Sequence, residues 1–293
     1  MTLGIQKVLH LHLEEAKKKS KISGEYMYSV KLDGWLCYID YLGNGVWDYV
    51  RSRQHREIPS MYHAMHYVKQ LPKPNGRYRF IMEAVVPGKS FYEANGIMNR
   101  YVGDCQAEEV IFHIHDMINL DTYKENWLSN EAWHRYKDLK EWFGDTESEK
   151  FKIHPLLGVS ANRDDWMEAF YNAERNGDEG IVLKHCHSLY QPDKRNSSLM
   201  KIKLEDTYDL LCISAYSSEG KKGNMAYNLL LRDKAGTKVP VVIGSHSLIH
   251  LFEDEPPIGK VVQIKCMCRT SDGIYREPRY DCIRYDKTEK DID

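Results

Sequence analysis

A lysine interrupts an apolar segment near the start of the sequence, in the stretch VKLDGW that begins at Val30. Burial and neighbouring positive charge both disfavour the ammonium form of lysine, and the neutral amine is a nucleophile. Attack of such an amine on phosphorus would form a phosphoramidate intermediate. We therefore expect Lys31 to be a catalytic nucleophile, with Asp33 orienting its amine or a metal ion and Gly34 allowing the chain to turn. Taken alone, the motif is also typical of a surface lysine before a turn.

Further basic residues are spaced as they would be on strands that face a phosphate. Lys201 and Lys203 are two residues apart in MKIK, so on a strand both would project to one face and could neutralise a phosphate. Lys184 and Val182 would share a face in the same way, which places Glu179 just before their strand, at the rim of a pocket. A solvated strand face is the alternative interpretation of Lys201 and Lys203.

Two carboxylates, Glu83 in FIMEAVV and Glu179 in DEGIVLK, accompany these cations. Carboxylates would repel a polyphosphate substrate unless they bound a metal ion or hydroxyl groups. Mg²⁺ prefers few carboxylates together with phosphate oxygens and retained waters. The sequence therefore predicts a sparse Mg²⁺ site, with Mn²⁺ as an alternative ion; a simple charge at a strand end is the other interpretation of Glu83.

Periodicity predicts a mixed α+β domain over residues 1–204, with antiparallel sheets flanked by helices. Two helices have clear end signals: one follows Asn130 and ends at Gly144, and the other follows Asn162 and ends at Gly177. The opening residues are predicted to form a short amphipathic helix. Residues 208–293 contain five predicted strands with one helix between the third and fourth, which fits the β-barrel called an OB-fold. Residues 204–208 are the predicted hinge.

Composition limits the protein's class. A chain of 293 residues is expected to form two domains, and no apolar run approaches the roughly 18 residues of a membrane span. No secretion signal is visible, and seven cysteines without CxxC pairs favour a reducing, cytosolic compartment. The net charge of −2 excludes a uniformly basic nucleic-acid binder, although a basic face can coexist with that total.

The motifs occur in a fixed order that resembles the covalent nucleotidyltransferases, a superfamily of DNA ligases, RNA ligases and mRNA capping enzymes. It is most similar to ATP-dependent DNA ligases of the small, two-domain bacteriophage type. The motifs are KLDG from Lys31, Ser52-Arg53, Glu83, DEGIVLK from Asp178, MKIK from Met200, and RxPR followed by RxDK between Arg276 and Lys287.

The resemblance implies that Lys31 is adenylated by ATP and that the enzyme seals nicks in duplex DNA, as a monomer. Glu83 would hold the ribose, Glu179 with Glu83 would bind the metal ion, and Arg53 would contact the ribose or the nick phosphate. The other implied nucleotide-binding residues are Lys184, Lys201 and Lys203 at the α-phosphate and Arg284, Asp286 and Lys287 at the pyrophosphate end during the first step.

One position departs from the family pattern. The family places an aromatic ring before the Asp of its intermediate strand motif to stack on adenine, whereas here His115 precedes Asp116. His115 is the predicted stacking residue, with Phe112 or His113 as alternatives. The predicted DNA-binding residues are Lys17 to Lys21, Arg53, Lys194, Arg195, Lys221 and Lys222.

Four other functions share some of these features. An NAD-dependent ligase is disfavoured because that family has a large extra domain ahead of the nucleophile, whereas only thirty residues precede Lys31 here. A GTP-using capping enzyme shares KxDG and the OB-fold, and an RNA ligase is expected to lack the final RxDK. A non-catalytic OB-fold protein would have no need of Lys31, Glu83 or Glu179.

Overall fold

The computed structural model describes most of the chain and divides it into two units, Met1–Lys203 and Leu204–Asp293. The described residues are 3–17, 22–89, 91–100, 106–124, 130–146, 148–203, 205–219, 225–270 and 272–293. Lys18 to Lys21, Lys221, Lys222 and the first hinge residue, Leu204, lie outside them.

The first unit combines strands and helices. Its described strands are β1 Lys7–His10, β2 Tyr26–Val30, β3 Trp35–Gly43, β4 Val46–Trp47, β5 Arg51–Ser52, β6 Tyr78–Val85, β7 Ile111–Asn119, β8 Phe151–Ile153, β9 Gly158–Ser160, β10 Gly180–His185 and β11 Arg195–Lys203. Its described α-helices are α1 Leu13–Lys17, α2 Ala64–Tyr67, α3 Phe91–Met98, α4 Leu120–Lys124, α5 Ala132–Phe143 and α6 Arg163–Arg175, and 3-10 helices span Pro59–Met61 and Val68–Gln70.

These strands form two sheets. The first sheet has the order β1-β11-β10-β2-β9, and the second has the order β4-β3-β6-β7-β8 with β5 paired to β3. Apolar residues on β3, β6 and β7 alternate towards a core that includes Met82, Phe112 and Phe151, each fully buried. The predicted mixed α+β class is confirmed for this unit, but the prediction of antiparallel sheets is only partly correct, because β1 pairs with β11 and β8 with β7 in parallel. The hairpin predicted after Gly34 corresponds to β3 and β4.

The opening segment differs from its prediction. Residues 7–10 form a strand that pairs in parallel with β11, and the described helix that follows spans Leu13–Lys17. Long-range contacts explain the difference: the Tyr190 hydroxyl donates to the Gly4 carbonyl at 3.1 Å and accepts from the Gln6 amide at 3.0 Å. Arg79, in a buried bidentate pair with Asp40 at 2.7 Å, also donates to the Leu3 carbonyl. No local pattern encodes these partners.

The helix ends follow capping chemistry. Asn162 caps α6, and its side chain accepts from the Asp164 amide at 3.1 Å, as predicted. Gly144 ends α5, also as predicted, whereas the N-cap of α5 is Glu131, one residue later than Asn130. None of the helices in the described ranges is both long and apolar enough to cross a membrane.

The second unit is mainly strand. Its described elements are β12 Asp206–Glu219, β13 Met225–Arg232, β14 Lys238–Ile243, α7 His246–Asp254, β15 Val261–Cys266 and β16 Arg279–Ile283, with a 3-10 helix at Glu289–Asp291. The strands form one antiparallel sheet in the order β14-β13-β12-β15-β16. The predicted succession of three strands, one helix and two strands is confirmed.

Candidate active site

A cavity of about 300 Å³ has walls from both sheets of the first unit. Its polar lining includes seven of the predicted site residues, all from the first unit, and its apolar lining includes Val182, Leu36 and Leu156. The charged and polar side chains that line it are Gln6, Lys7, Ser29, Lys31, Arg53, Glu83, His115, Asp116, Tyr136, His154, Lys184, Tyr190, Arg195 and Lys201. An apolar space with a few convergent polar groups is the usual form of a small-molecule site.

Lys31 lies directly after β2, where its amide donates to the Gly180 carbonyl at 2.7 Å. Its ammonium contacts the Glu179 carboxylate, and the two side chains are 19% and 12% exposed. The sequence predicts cations around this amine, but the side chain that contacts it is a carboxylate. Of the expected cations, Lys184 and Lys201 line the same cavity, but Glu179 is the charged side chain in direct contact with the amine.

Two glycines bring backbones into direct contact beside these residues. A Cβ at Gly34 would lie 2.4 Å from the Ala84 carbonyl oxygen and 2.9 Å from Glu83 Cγ. A Cβ at Gly180, where φ is +143°, would lie 2.2 Å from the Ile202 carbonyl oxygen. Gly34 is thus required for the close approach of β3 to β6, and Gly180 for that of β10 to β11.

Glu83 on β6 lies among charged groups. Burial raises its pKa to about 7; the Lys31 ammonium opposes this shift, whereas the Glu179 and Asp33 carboxylates reinforce it. Asp33 is therefore close enough to act on the site electrostatically. A cation beside Glu83 would oppose the effect of these neighbouring carboxylates on its pKa.

We expect Glu83→Gln to flatten the pH dependence of stability. The folded pKa of Glu83 is about 7 against an ordinary value of 4.5, so the folded state binds a proton that the unfolded state has released. That contribution is present at pH 4.5 and is lost as the pH rises towards 7. In thermal unfolding, the melting temperature of Glu83→Gln relative to that of the wild type should be higher at pH 8 than at pH 5. Glu141→Gln, at an exposed helix position, is the control; equal pH profiles for both variants would contradict this assignment.

A buried ion network forms the wall beside His115. Lys184 donates to the His115 carbonyl at 2.8 Å and to the Asp116 carboxylate at 3.0 Å. Arg135 on α5 binds the same carboxylate through two nitrogens at 2.8 and 3.0 Å. Burial alone would raise the pKa of Asp116, but Arg135 and Lys184 lower it well below its usual range.

Of the three candidate stacking residues, His115 lines the cavity, whereas Phe112 is fully buried and stacks on Phe151 in the core. Phe112 as an adenine platform is therefore wrong. Burial and the Lys184 ammonium lower the pKa of His115 to about 3, which keeps its ring neutral. His113 instead faces His154 edge-on, with 5.8 Å between ring centroids.

The remaining predicted cations of the first unit separate into two groups. Arg53, Arg195 and Lys201 line the cavity, while Lys203, 4% exposed, is buried and is not among the lining residues. Lys194 is exposed next to Arg195. Sequence reasoning missed Lys7, which lines the cavity because β1 pairs with β11 opposite Arg195.

In the second unit, the RxDK residues surround a carboxylate on β12. Asp209, 5% exposed, accepts from Arg284 at 3.2 Å and from Lys287. Asp286 pairs with Arg284 at 2.7 Å, and that hydrogen bond lowers the pKa of Asp286 to about 2. Sequence reasoning also missed Asp209, although an Asp inside the apolar strand YDLLCI is a recognisable signal.

Comparisons with known proteins agree on one family. The family model "ATP dependent DNA ligase domain" matches residues 12–203. A DNA ligase of Thermococcus fumicolans is 26% identical over 93% of this chain and 54% of its own length. DNA ligase 4 of Gallus gallus is 28% identical over 63% of this chain and 18% of its own length. This chain therefore spans about half of the first relative and less of the second.

Two solved structures share the fold. One, described as "DNA binding with a minimal scaffold: Structure-function analysis of Lig E DNA ligases", covers 97% of this chain and 100% of its own, at a TM-score of 0.71 and 19% identity. The ATP-dependent DNA ligase from bacteriophage T7 in complex with ATP covers 96% and 98%, at a TM-score of 0.53 and 16% identity. Since the family model covers well over half of the sequence, this chain belongs to the ATP-dependent DNA ligase domain family.

Proposed function

We propose that this protein is an ATP-dependent DNA ligase that joins 3′-hydroxyl and 5′-phosphate ends at nicks in duplex DNA. The observation that carries this proposal is the cavity in which the Lys31 ammonium, Lys184 and Lys201 meet beside Glu83. Positive groups around a potential nucleophile suit a polyphosphate substrate, and membership of the family supports ATP as that substrate.

The reaction proceeds through three transfers at phosphorus. The Lys31 amine forms a bond to the α-phosphorus of ATP as the bond to pyrophosphate breaks. The nick 5′-phosphate then takes the AMP from Lys31, and the 3′-hydroxyl finally attacks that phosphate and releases AMP. The amine must lose a proton before the first attack, and Glu179, in contact with Nζ, is placed to hold it.

The first unit supplies most of the nucleotide contacts in this proposal. Lys184, Lys201 and, from its buried position, Lys203 neutralise the α-phosphate, and Glu83 holds the ribose hydroxyls. His115 lies in the cavity wall where a neutral ring can stack on adenine.

A divalent ion fits this donor set. The Glu179 carboxylate helps to raise the pKa of Glu83, and a cation between the two would relieve that repulsion. Glu83 and Glu179 would hold Mg²⁺ or Mn²⁺ together with phosphate oxygens. The ion would supply neutralisation of the charge that develops on the phosphate.

We propose that the second unit is an OB-fold domain over residues 208–293, joined to an adenylation domain over residues 1–204 by a hinge at 204–208. Its strand and helix order supports this assignment. Arg284, Asp286 and Lys287 would act on the pyrophosphate end in the first step only, and hinge rotation would then present another face to DNA.

Binding to nicked duplex DNA should depend on phosphate contacts, and so weaken with salt and tolerate any sequence. Lys17, Arg53, Lys194 and Arg195 are the candidates within the described residues, and the rest of the Lys17 to Lys21 cluster, Lys221 and Lys222 are further ones. The protein is proposed to act as a monomer in the cytoplasm.

Nick sealing on labelled duplex DNA tests the proposal. Sealing with ATP and a divalent ion, together with covalent labelling of the protein by ATP, is the expected result. Labelling by GTP alone would indicate a capping-type guanylyltransferase, and sealing restricted to nicks with RNA strands would indicate an RNA ligase. Duplex binding without any covalent label would overturn the enzymatic assignment and favour a binding protein.

A further inference from the structure

A buried arginine outside the sequence motifs is tied to the cavity wall. Arg135 on α5 is 3% exposed and contributes Nε and Nη2 to the Asp116 carboxylate. Its Nη1 donates to the Asn130 carbonyl at 2.6 Å and to the Ser188 carbonyl at 3.4 Å. Four of its five N–H bonds therefore have defined acceptors, and the guanidinium is held in one orientation.

Arg135 also joins the two sheets at this point. Asp116 belongs to β7 of the second sheet, while Ser188 follows β10 of the first, the strand that carries Lys184. The amide of Ala132, in the first turn of α5, donates to the same Ser188 carbonyl at 2.9 Å. The helix start is thus fixed to both sheets beside the cavity.

The charge of this cluster depends on Arg135. Asp116 carries one negative charge and touches two cations, so the group of Asp116, Arg135 and Lys184 has a net charge of +1. Without the guanidinium, Asp116 would neutralise Lys184, and the cavity wall would lose its positive charge. Lys184 donates two of its three N–H groups to the His115 carbonyl and to Asp116, so the third can donate to a ligand.

We propose that Arg135 is a positioning residue that balances Asp116, so that Lys184 presents positive charge to the phosphates of the nucleotide in the cavity. This inference rests on the proposed function, because it assumes that a nucleoside triphosphate occupies the site. Arg135 is not among the residues that line the cavity, and it acts through Asp116 and Lys184, which are.

The test compares three variants in covalent labelling by ATP, measured over a range of ATP concentrations. Arg135→Gln removes the balancing charge and should raise the KM for ATP at least about tenfold, with a smaller change in the maximal rate. Asp116→Asn/Arg135→Gln removes both charges, restores +1 at Lys184, and should recover most of that loss. Arg135→Lys keeps the charge but loses the two-nitrogen contact, so its KM should remain nearer the wild-type value.

Thermal unfolding of each variant separates this role from folding, since Arg135→Gln leaves Asp116 with one cation fewer and is expected to be less stable. The double variant has the same net charge, +1, as the wild-type cluster and keeps the test valid if the single variant fails to fold. A folded double variant whose KM is as high as that of Arg135→Gln, or an Arg135→Gln variant with a wild-type KM, would overturn the inference. A wild-type protein that takes no label from ATP would overturn the proposed function, and this inference with it.

Discussion

Lys31→Ala is expected to abolish covalent labelling by ATP and to reduce ATP-driven nick sealing by at least about 10⁴-fold, because the variant lacks the nucleophile. Lys31→Arg should fail as completely, since a guanidinium keeps the positive charge but does not become a neutral nucleophile. Mass spectrometry of the protein after incubation with ATP and a divalent ion locates the adduct, and a gel assay measures sealing.

The control for this prediction is Lys69→Ala, which removes an exposed lysine that does not line the cavity and should keep full labelling. A pre-adenylated nick bypasses the first transfer, so Lys31→Ala should still seal it. Failure on that substrate would show that Lys31 also acts in the later steps. An adduct found on another side chain of the wild type would contradict the assignment of the nucleophile.

Arg284→Ala and Lys287→Ala should each slow the labelling of Lys31 by about 10²- to 10³-fold, the effect of removing one charged donor to a developing anion. Both side chains contact Asp209, and together they form the cationic end of the RxDK segment. If this segment serves only the departure of pyrophosphate, sealing of a pre-adenylated nick should remain at the wild-type rate. Rapid-quench labelling measures the first step, and single-turnover sealing measures the last.

Lys290→Ala is the matched control, because it removes an exposed lysine three residues beyond Lys287. Equal losses in labelling and in sealing of the pre-adenylated nick would contradict a role limited to the first step. Such a result would assign Arg284 and Lys287 to DNA binding or to the stability of β12 instead. The single substitutions are preferred to the double one because Asp209 then keeps one cationic partner.

Local signals were sufficient where the structure depends on neighbours in sequence. Asn162 and Gly144 mark helix ends through capping and backbone conformation. The succession of strands along the second unit follows from the alternation of apolar residues and from turn residues. Lys31, Glu83 and Lys184 were found because their motifs occur in a fixed order, and the structure places all three in one cavity.

The missing parts of the site depend on contacts between distant residues. Residues 7–10 contain no strand signal that outweighs the neighbouring helix formers, and their pairing partners in β11 lie about 190 positions later. Lys7 reaches the cavity only through that pairing. The contact between Lys31 and Glu179 was not predicted either, because the sequence gives the residue types but not which charged side chains are in contact.

The sequence does contain a signal for Arg135, although its meaning is not evident from the sequence alone. It lies on the buried side of α5, in line with Ala132 and Leu139, where an apolar residue would be expected. A cation on that side requires a buried anion, yet the sequence alone does not say which of the many carboxylates it is. The structure identifies Asp116 as its partner.

Gly34 and Gly180 make the space around Lys31 depend on main-chain spacing rather than on side-chain size. Alanine replacement, normally regarded as the mildest probe, would place a methyl group against a carbonyl oxygen at either position. At these two positions even the addition of one methyl group is therefore expected to disturb the site. The missing side chains at Gly34 and Gly180 are therefore what allows the strands beside Lys31 to approach so closely.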